Sequence, residues 1–163
     1  MNTIVDVNLA AYASARARGP FIIVSRAKSR DGRYLAIAAG DDGLAVVNTM
    51  KPRDTLQRWY KEPLFPGSRA YALVNFASNT CITRDSEAQG SRLVLVDYVP
   101  GKVEDLAMWR NDSAGEMTAI HSALARRQTI SIPDHSGLSG TQLITSEMST
   151  SPGHGEWQFM PAD

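Results

Sequence analysis

The chain has 163 residues, a length typical of one domain with one hydrophobic core. Its 43% of hydrophobic and 21% of charged residues are globular values, which argue against a disordered chain. The 17 basic and 17 acidic side chains cancel, so no long-range field attracts nucleic acid or anionic lipid. The single cysteine, Cys81, excludes an intrachain disulfide framework and a zinc site with several cysteines. No apolar run approaches the roughly 20 residues of a membrane helix.

The first 19 residues differ in composition from the rest of the chain. They are rich in alanine and can form a helix, but the only charge before Arg16 is Asp6, whereas a secretory signal needs positive charge before its apolar segment. We therefore predict an N-terminal arm over residues 1–19 and one domain over residues 20–163. A Gly-Pro pair marks the boundary. A cytoplasmic location is the default expectation, with release by a route that needs no signal peptide left open.

The rest of the chain repeats one pattern three times, with a period of about 48 residues. The tryptophans Trp59, Trp109 and Trp157 are spaced 50 and 48 residues apart. Three glycines, each followed by an aliphatic pair, and three aliphatic residues in short β-branched segments recur in the same order at spacings of 47 to 50 residues. These glycines are Gly43, Gly90 and Gly140, and these aliphatic residues are Leu35, Ile82 and Ile130.

Each repeat has the pattern of four short strands separated by Gly, Asp, Asn, Ser and Pro. We predict an all-β chain with twelve strands in three repeats, over about residues 20–66, 67–114 and 115–163. One four-stranded unit cannot bury its apolar face alone, whereas three units around an axis can, which predicts a closed pseudo-threefold barrel capped by hairpins, the β-trefoil. A β-sandwich or a small propeller is the alternative, although three blades fall below the usual four.

The three tryptophans are predicted to be core residues, one in each repeat. A buried indole removes on the order of 200 Å² from water, worth several kcal/mol at roughly 25 cal/mol per Å². Their register with the strand pattern favours this interpretation over the alternative, in which they form aromatic platforms for sugar rings.

The triplet Gln57-Arg58-Trp59 matches the Gln-x-Trp signature of ricin B-like lectins, in which one triplet closes each of three trefoil units. The triplets at 107–109 and 155–157 keep the tryptophan and lack the glutamine. Over about residues 20 to 160 the chain resembles this family in its threefold spacing, its tryptophans and one intact motif. The resemblance implies a β-trefoil fold and a non-catalytic carbohydrate-binding function.

The resemblance also implies where a sugar site would lie. In the family an Asp after the second strand bonds sugar hydroxyls, an aromatic residue at the end of the third strand stacks on the ring, and an Asn precedes Gln-x-Trp. This chain lacks that set of three binding residues in its usual form. The aspartate position maps to Ala36, Thr83 and Ser131, the aromatic position to Thr49, Asp97-Tyr98 and Thr145-Ser146, and the asparagine position to Leu56, Leu106 and His154.

Other polar residues lie close to those positions. In the second repeat Asp85 follows the expected aspartate position by two residues, and Asp97 and Tyr98 end the third strand, which makes this repeat the best candidate. In the third repeat Asp134 and His154 are available. Each of these residues could instead lie in a solvated turn. The predicted carbohydrate-binding residues are Asp85, Asp97, Tyr98, Asp134 and His154.

The sequence shows no catalytic constellation. The three histidines lack helical metal-ligand spacing, and the chain has no cysteine cluster, no Gly-x-Ser-x-Gly elbow and no phosphate loop. We predict no enzymatic activity, no metal and no cofactor.

Glycans or glycoproteins are the expected partners. The alternative is a protein-binding trefoil, either a protease inhibitor or a component of a toxin complex, which the lost aspartates favour. A homodimer would raise avidity without new contacts. Neither nucleic acid nor a membrane span is expected. A weaker possibility is lipid or nucleic-acid contact through the arginines, which outnumber the lysines by 13 to 4.

Overall fold

A computed structural model describes residues 19–111, 116–133, 137–147 and 154–162. These residues form an all-β domain of thirteen strands, and all the strand pairs are antiparallel. Apart from Gly19, the predicted N-terminal arm lies outside the described residues. No helix among the described residues is long and apolar enough to span a membrane.

Each repeat contributes four strands, one of which is interrupted in the third repeat. The first repeat contains β1 (Phe21–Lys28), β2 (Tyr34–Ala39), β3 (Ala45–Thr49) and β4 (Trp59–Pro63). The second contains β5 (Tyr71–Asn75), β6 (Thr80–Arg84), β7 (Leu93–Asp97) and β8 (Trp109–Asn111). The third contains β9 (Ile120–Ser122), β10 (Gln128–Ser131), β11 (Thr141–Gln142), β12 (Ile144–Glu147) and β13 (Trp157–Pro161). Short 3-10 helices lie at Asp41–Gly43, Thr55–Gln57 and Asp105–Ala107.

The first and last strands of the three repeats form a closed barrel. Within the first two repeats the first strand lies opposite the tryptophan of the last, in the pairs Phe21 with Trp59 and Tyr71 with Trp109. In the third repeat Thr118, two residues before β9, forms an isolated bridge with Trp157. Between repeats, β4 pairs with β5, β8 with β9, and β13 with β1. The two inner strands of each repeat pair as β2–β3, β6–β7 and β10–β12. The predicted β-trefoil is confirmed.

The tryptophans are fully buried, as predicted, and each makes the same hydrogen bond. The Nε1 atoms of Trp59, Trp109 and Trp157 donate to the carbonyl oxygens of Ile37, Ile82 and Ile130, each over 2.9 Å. The indole NH therefore has a partner inside the apolar core, where an unpaired donor would be costly. This bond joins the last strand of each repeat to its second strand.

These bonds correct one equivalence from the sequence. In the first repeat the acceptor is Ile37, two residues beyond Leu35, so the aspartate position moves to Ala38. The loop between the two inner strands is shorter in the first repeat (residues 40–44) than in the second (residues 85–92). Counting back the same number of residues from the glycine of each loop therefore misaligns the second strands of these two repeats. The register gives the same equivalence: Ile37, Ile82 and Ile130 pair with Val47, Leu95 and Thr145.

The inner strands of the three repeats meet around the central axis. Leu143 N donates to Ala45 O, and Leu93 N donates to Leu143 O, both over 3.0 Å. Because the backbone of Leu143 bonds to two other repeats, the third strand of its own repeat is interrupted there. This interruption accounts for thirteen strands where twelve were predicted.

Replacing any one tryptophan by phenylalanine is expected to lower the free energy of unfolding by about 2 kcal/mol, because it leaves a cavity and an unpaired buried carbonyl. Urea denaturation of W59F, W109F and W157F measures this loss. The control is Y34F, since Tyr34 is 52% exposed. A tryptophan variant no less stable than Y34F would contradict an equal role for the three anchors.

Candidate functional site

A row of paired side chains runs across the outer face of the second repeat. Tyr60 lies opposite Val74, Val74 opposite Cys81, and Cys81 opposite Val96. Directly opposed residues of antiparallel strands share one face of the sheet. Val74 and Cys81 are buried beneath their neighbours, and Val96 is exposed. The second repeat therefore carries apolar side chains outside the barrel as well as inside it.

Aromatic side chains collect on this face. We define the second-repeat aromatic patch as Tyr60, Phe76 and Tyr98, together with Asp97 at the end of the adjoining strand. Tyr60 and Tyr98 pack against a buried cluster that includes Ala107. The ring centroids of Tyr60 and Phe76 lie 5.9 Å apart, with the ring planes inclined by 31°. Phe76 is 45% exposed, so this pair presents aromatic surface to solvent.

Polar groups lie at the same end of the hairpin as the exposed ring. Asp97 is exposed at the end of β7, opposite Thr80. The hydroxyls of Thr80 and Ser78 lie 2.7 Å apart. The backbone NH of Tyr98 donates to the carbonyl of Asn79 over 3.1 Å, which fixes the chain where it leaves β7. The end of the hairpin thus combines aromatic surface with a carboxylate and hydroxyls.

Asp85 lies at the opposite end of this hairpin. It follows the last residue of β6, whereas Asp97 pairs with the first, which separates them by about 16 Å at roughly 3.3 Å per residue. The Asp85 carboxylate accepts from Arg92 Nε over 3.2 Å and from Arg92 Nη2 over 2.9 Å. Asp97 and Tyr98 are adjacent in the sequence, and the structure places Asp85 at the other end of the hairpin, away from both.

The third repeat places its candidate residues elsewhere. Asp134 lies outside the described residues. His154 is half-buried, and its carbonyl accepts from Ile132 N over 3.1 Å, just beyond the end of β10. Nearby, Ser146 Oγ donates to Ser131 Oγ over 2.6 Å. Ser131, at the family's aspartate position, is buried, so its hydroxyl serves this internal bond.

The Gln-x-Trp signature has a structural role in the repeat that keeps it. Gln57 is buried; its Oε1 accepts from Lys51 N over 2.8 Å, and its Nε2 donates to Thr49 O over 2.9 Å. The amide therefore holds the loop that follows β3. Ala107 takes this position in the second repeat and belongs to the apolar cluster beneath the patch. Gly155 takes it in the third, where a Cβ would lie 3.2 Å from Ser131 Oγ.

The site offers no activated nucleophile at Cys81. Burial raises the pKa of the Cys81 thiol to about 11, and the negative charge of Asp97 adds to this shift. The thiol is therefore protonated at neutral pH and packs as an apolar side chain. Among the described residues, no group of three or more His, Cys, Asp or Glu side chains could hold a metal ion.

Sequence reasoning proposed Asp97 and Tyr98 as binding residues and did not include the aromatic residues Tyr60 and Phe76. Phe76 stands alone in a turn of small polar residues, which is a signal that the sequence does contain. Tyr60 adjoins a core tryptophan and so must face outward, because successive residues of a strand point to opposite faces. That the two rings meet depends on the pairing of β4 with β5, which spans two repeats.

No protein-family model matches the sequence, and neither does any curated protein. Several solved structures share its fold. The designed threefold-symmetric protein ThreeFoil has a TM-score of 0.69 at 17% identity, covering 86% of this chain and 96% of its own. A ricin B-like lectin of Macrolepiota procera, solved with lactose, has 0.66 at 18% identity, covering 89% and 96%. The chain therefore shares the β-trefoil fold of these structures.

An enzyme also contains this fold. An exo-β-1,3-galactanase from Clostridium thermocellum matches with a TM-score of 0.65 at 15% identity, covering 88% of this chain and 30% of the enzyme. The likeness therefore concerns less than a third of the enzyme, and at such identities it concerns the fold alone.

At pH 8, Cys81 is expected to react with a disulfide reagent on the order of 100-fold more slowly in the folded protein than in urea. The reason is that its thiol is buried and protonated in the folded protein. Release of the coloured thiolate from the reagent measures both rates. The C81A variant supplies the blank. Equal rates in the folded and unfolded protein would place the thiol in solvent, against its position beneath the patch.

Proposed function

We propose that this protein is a non-catalytic carbohydrate-binding module that recognises a glycan, free or on a glycoprotein, through the second-repeat aromatic patch. A pyranose has an apolar face that packs on an aromatic ring and hydroxyls that bond to a carboxylate. Phe76 and Tyr60 supply the rings, and Asp97 supplies the carboxylate. The observation that carries the proposal is the exposed Phe76 ring at the same end of the hairpin as the exposed Asp97.

The ligand is proposed to bind differently from the mode that the family resemblance implies. All three aspartate positions, Ala38, Thr83 and Ser131, are buried and non-acidic. The Thr83 hydroxyl donates to the carbonyl of Arg84 over 3.3 Å, and the Ser131 hydroxyl bonds to Ser146. A sugar would therefore contact the end of the β6–β7 hairpin. The lactose in the Macrolepiota procera structure supports the chemical class of ligand.

A glycan array followed by titration of the best ligand tests the proposal. F76A and D97N are each expected to weaken binding about 5- to 30-fold, on the order of 1–2 kcal/mol for one ring or one charged hydrogen bond. D85N is the matched control, because Asp85 is also an exposed aspartate of this hairpin but lies at its other end. Its affinity is expected to stay within about twofold of the natural protein.

The outcomes distinguish two questions: whether the protein binds a glycan, and which repeat binds it. Absence of binding to any glycan up to millimolar concentration would exclude the carbohydrate-binding function. Binding that survives both F76A and D97N but is lost in H154A would move the site to the third repeat, where Asp134 and His154 are the predicted contacts.

Protein binding is the second candidate function, because the patch continues into exposed apolar side chains. Val96 precedes Asp97, and Val99 follows Tyr98. Both valines are exposed and extend the apolar surface beside the aromatic rings, as contiguous apolar surface at protein-binding sites does.

A panel of proteases, assayed for stoichiometric inhibition, tests the inhibitor form of this alternative. A protein-binding surface predicts that V99D abolishes inhibition and that no glycan competes. A glycan-binding surface predicts no inhibition and competition by the array ligand.

A further inference from the structure

The residue that pairs with each tryptophan across the junction to the next repeat is polar and buried in all three repeats. These pairs are Trp59 with Asn75, Trp109 with Ser122, and Trp157 with Ser25. Each serine hydroxyl accepts from the backbone NH two residues further on, over 3.0 Å for Ser25 and 3.4 Å for Ser122. A serine is therefore compatible with the fold at this position, and the second repeat departs from the other two with a larger amide side chain.

The side-chain oxygen of Asn75 holds the turn that follows β5. Oδ1 accepts from the backbone NH groups of Ala77 and Ser78 over 3.0 and 3.1 Å and from the Ser78 hydroxyl over 3.2 Å. Asparagine commonly orders turns through such bonds to the backbone that follows it. The turn begins with the exposed Phe76, and its Ser78 hydroxyl lies 2.7 Å from that of Thr80. One buried oxygen thus orders the segment that carries a ring of the patch and a neighbouring hydroxyl.

The side-chain nitrogen of Asn75 joins this turn to the first repeat. Nδ2 donates to the carbonyl of Leu56 over 2.9 Å and reaches that of Arg58 over 3.4 Å. The backbone NH of Phe76 donates to the same Arg58 carbonyl over 2.8 Å, which places Phe76 opposite Arg58 and diagonal to Tyr60. Diagonal neighbours on paired strands lie within reach of aromatic side chains, in agreement with the 5.9 Å between the two ring centroids.

We propose that Asn75 is the positioning residue of the second-repeat aromatic patch, because its Oδ1 atom holds the turn in the conformation that stacks Phe76 on Tyr60. The inference rests on the proposed function and adds the residue that orders the glycan contacts. Asn75 is 1% exposed, so it acts through the turn and does not touch a ligand. A ring that is already held in place loses less conformational freedom on binding, which raises the affinity.

The N75S variant tests this inference, because serine occupies the equivalent position in the other two repeats. Its shorter side chain can bond the Ala77 NH, as Ser25 bonds the NH two residues further on, but loses the other bonds of the amide. N75S is expected to bind the array glycan roughly 3- to 10-fold more weakly than the natural protein. S25A is the matched control, since it removes a hydrogen bond at the equivalent position of the first repeat, and its affinity is expected to change by less than about twofold.

The N75D variant separates positioning from stability. Its carboxylate keeps an oxygen that accepts from the turn, whereas a second oxygen replaces the donor that faces the Leu56 carbonyl. Urea denaturation is therefore expected to show a less stable protein, since that carbonyl loses its donor in a buried place. The glycan affinity of N75D is expected to stay within about threefold of the natural protein, because the turn keeps its acceptor. If N75D fails to fold, N75S still decides.

Proton NMR of the two rings gives a test that needs no ligand. Nuclear Overhauser contacts between Tyr60 and Phe76 are expected in the natural protein and in S25A, and their loss is expected in N75S. Intact ring contacts in N75S would overturn the inference, as would an affinity of N75S equal to that of S25A. Absence of glycan binding by the natural protein would instead overturn the proposed function, and the ring contacts would still decide whether Asn75 positions Phe76.

Discussion

The hydrogen bond from an indole NH to an isoleucine carbonyl, made once in each repeat, is the interaction on which the fold depends. It fixes the last strand of a repeat to its second strand inside the core, where no water competes for the bond. The rest of the architecture follows from this geometry. Each tryptophan also lies opposite the beginning of its own repeat and the first strand of the next, so the three anchors close the barrel.

This anchoring explains why the outer faces of the repeats differ so much. The position beside each tryptophan is a buried amide in the first repeat, an alanine over an apolar cluster in the second, and a glycine against serine hydroxyls in the third. None of these choices touches the indole bond. The proposed recognition of a glycan can therefore be confined to one face, where Tyr60 and Phe76 supply aromatic rings.

The fold was predictable because its signals are local. Trp59, Trp109 and Trp157 mark the period directly, and short β-branched segments mark the strands. The patch was predictable only in part. Asp97 and Tyr98 adjoin a strand end that the pattern locates, whereas the contact of Tyr60 with Phe76 requires the pairing of two repeats. The separation of Asp85 from Asp97 depends on the register of the hairpin, which the unequal loops conceal.

Arg84 is the residue that pattern reading was least able to place, because an arginine in a strand is ordinarily expected in solvent. Only comparison with Ala39 and Ile132, the equivalent core residues of the other two repeats, reveals that Arg84 points inward. The same comparison indicates how the molecule tolerates mutation. Each interior position occurs three times, so one repeat can acquire a costly polar side chain while the equivalent apolar side chains of the other two repeats stay in the core. A pseudo-symmetric barrel can therefore hold a buried polar group in one repeat while the equivalent positions of the other two repeats stay apolar.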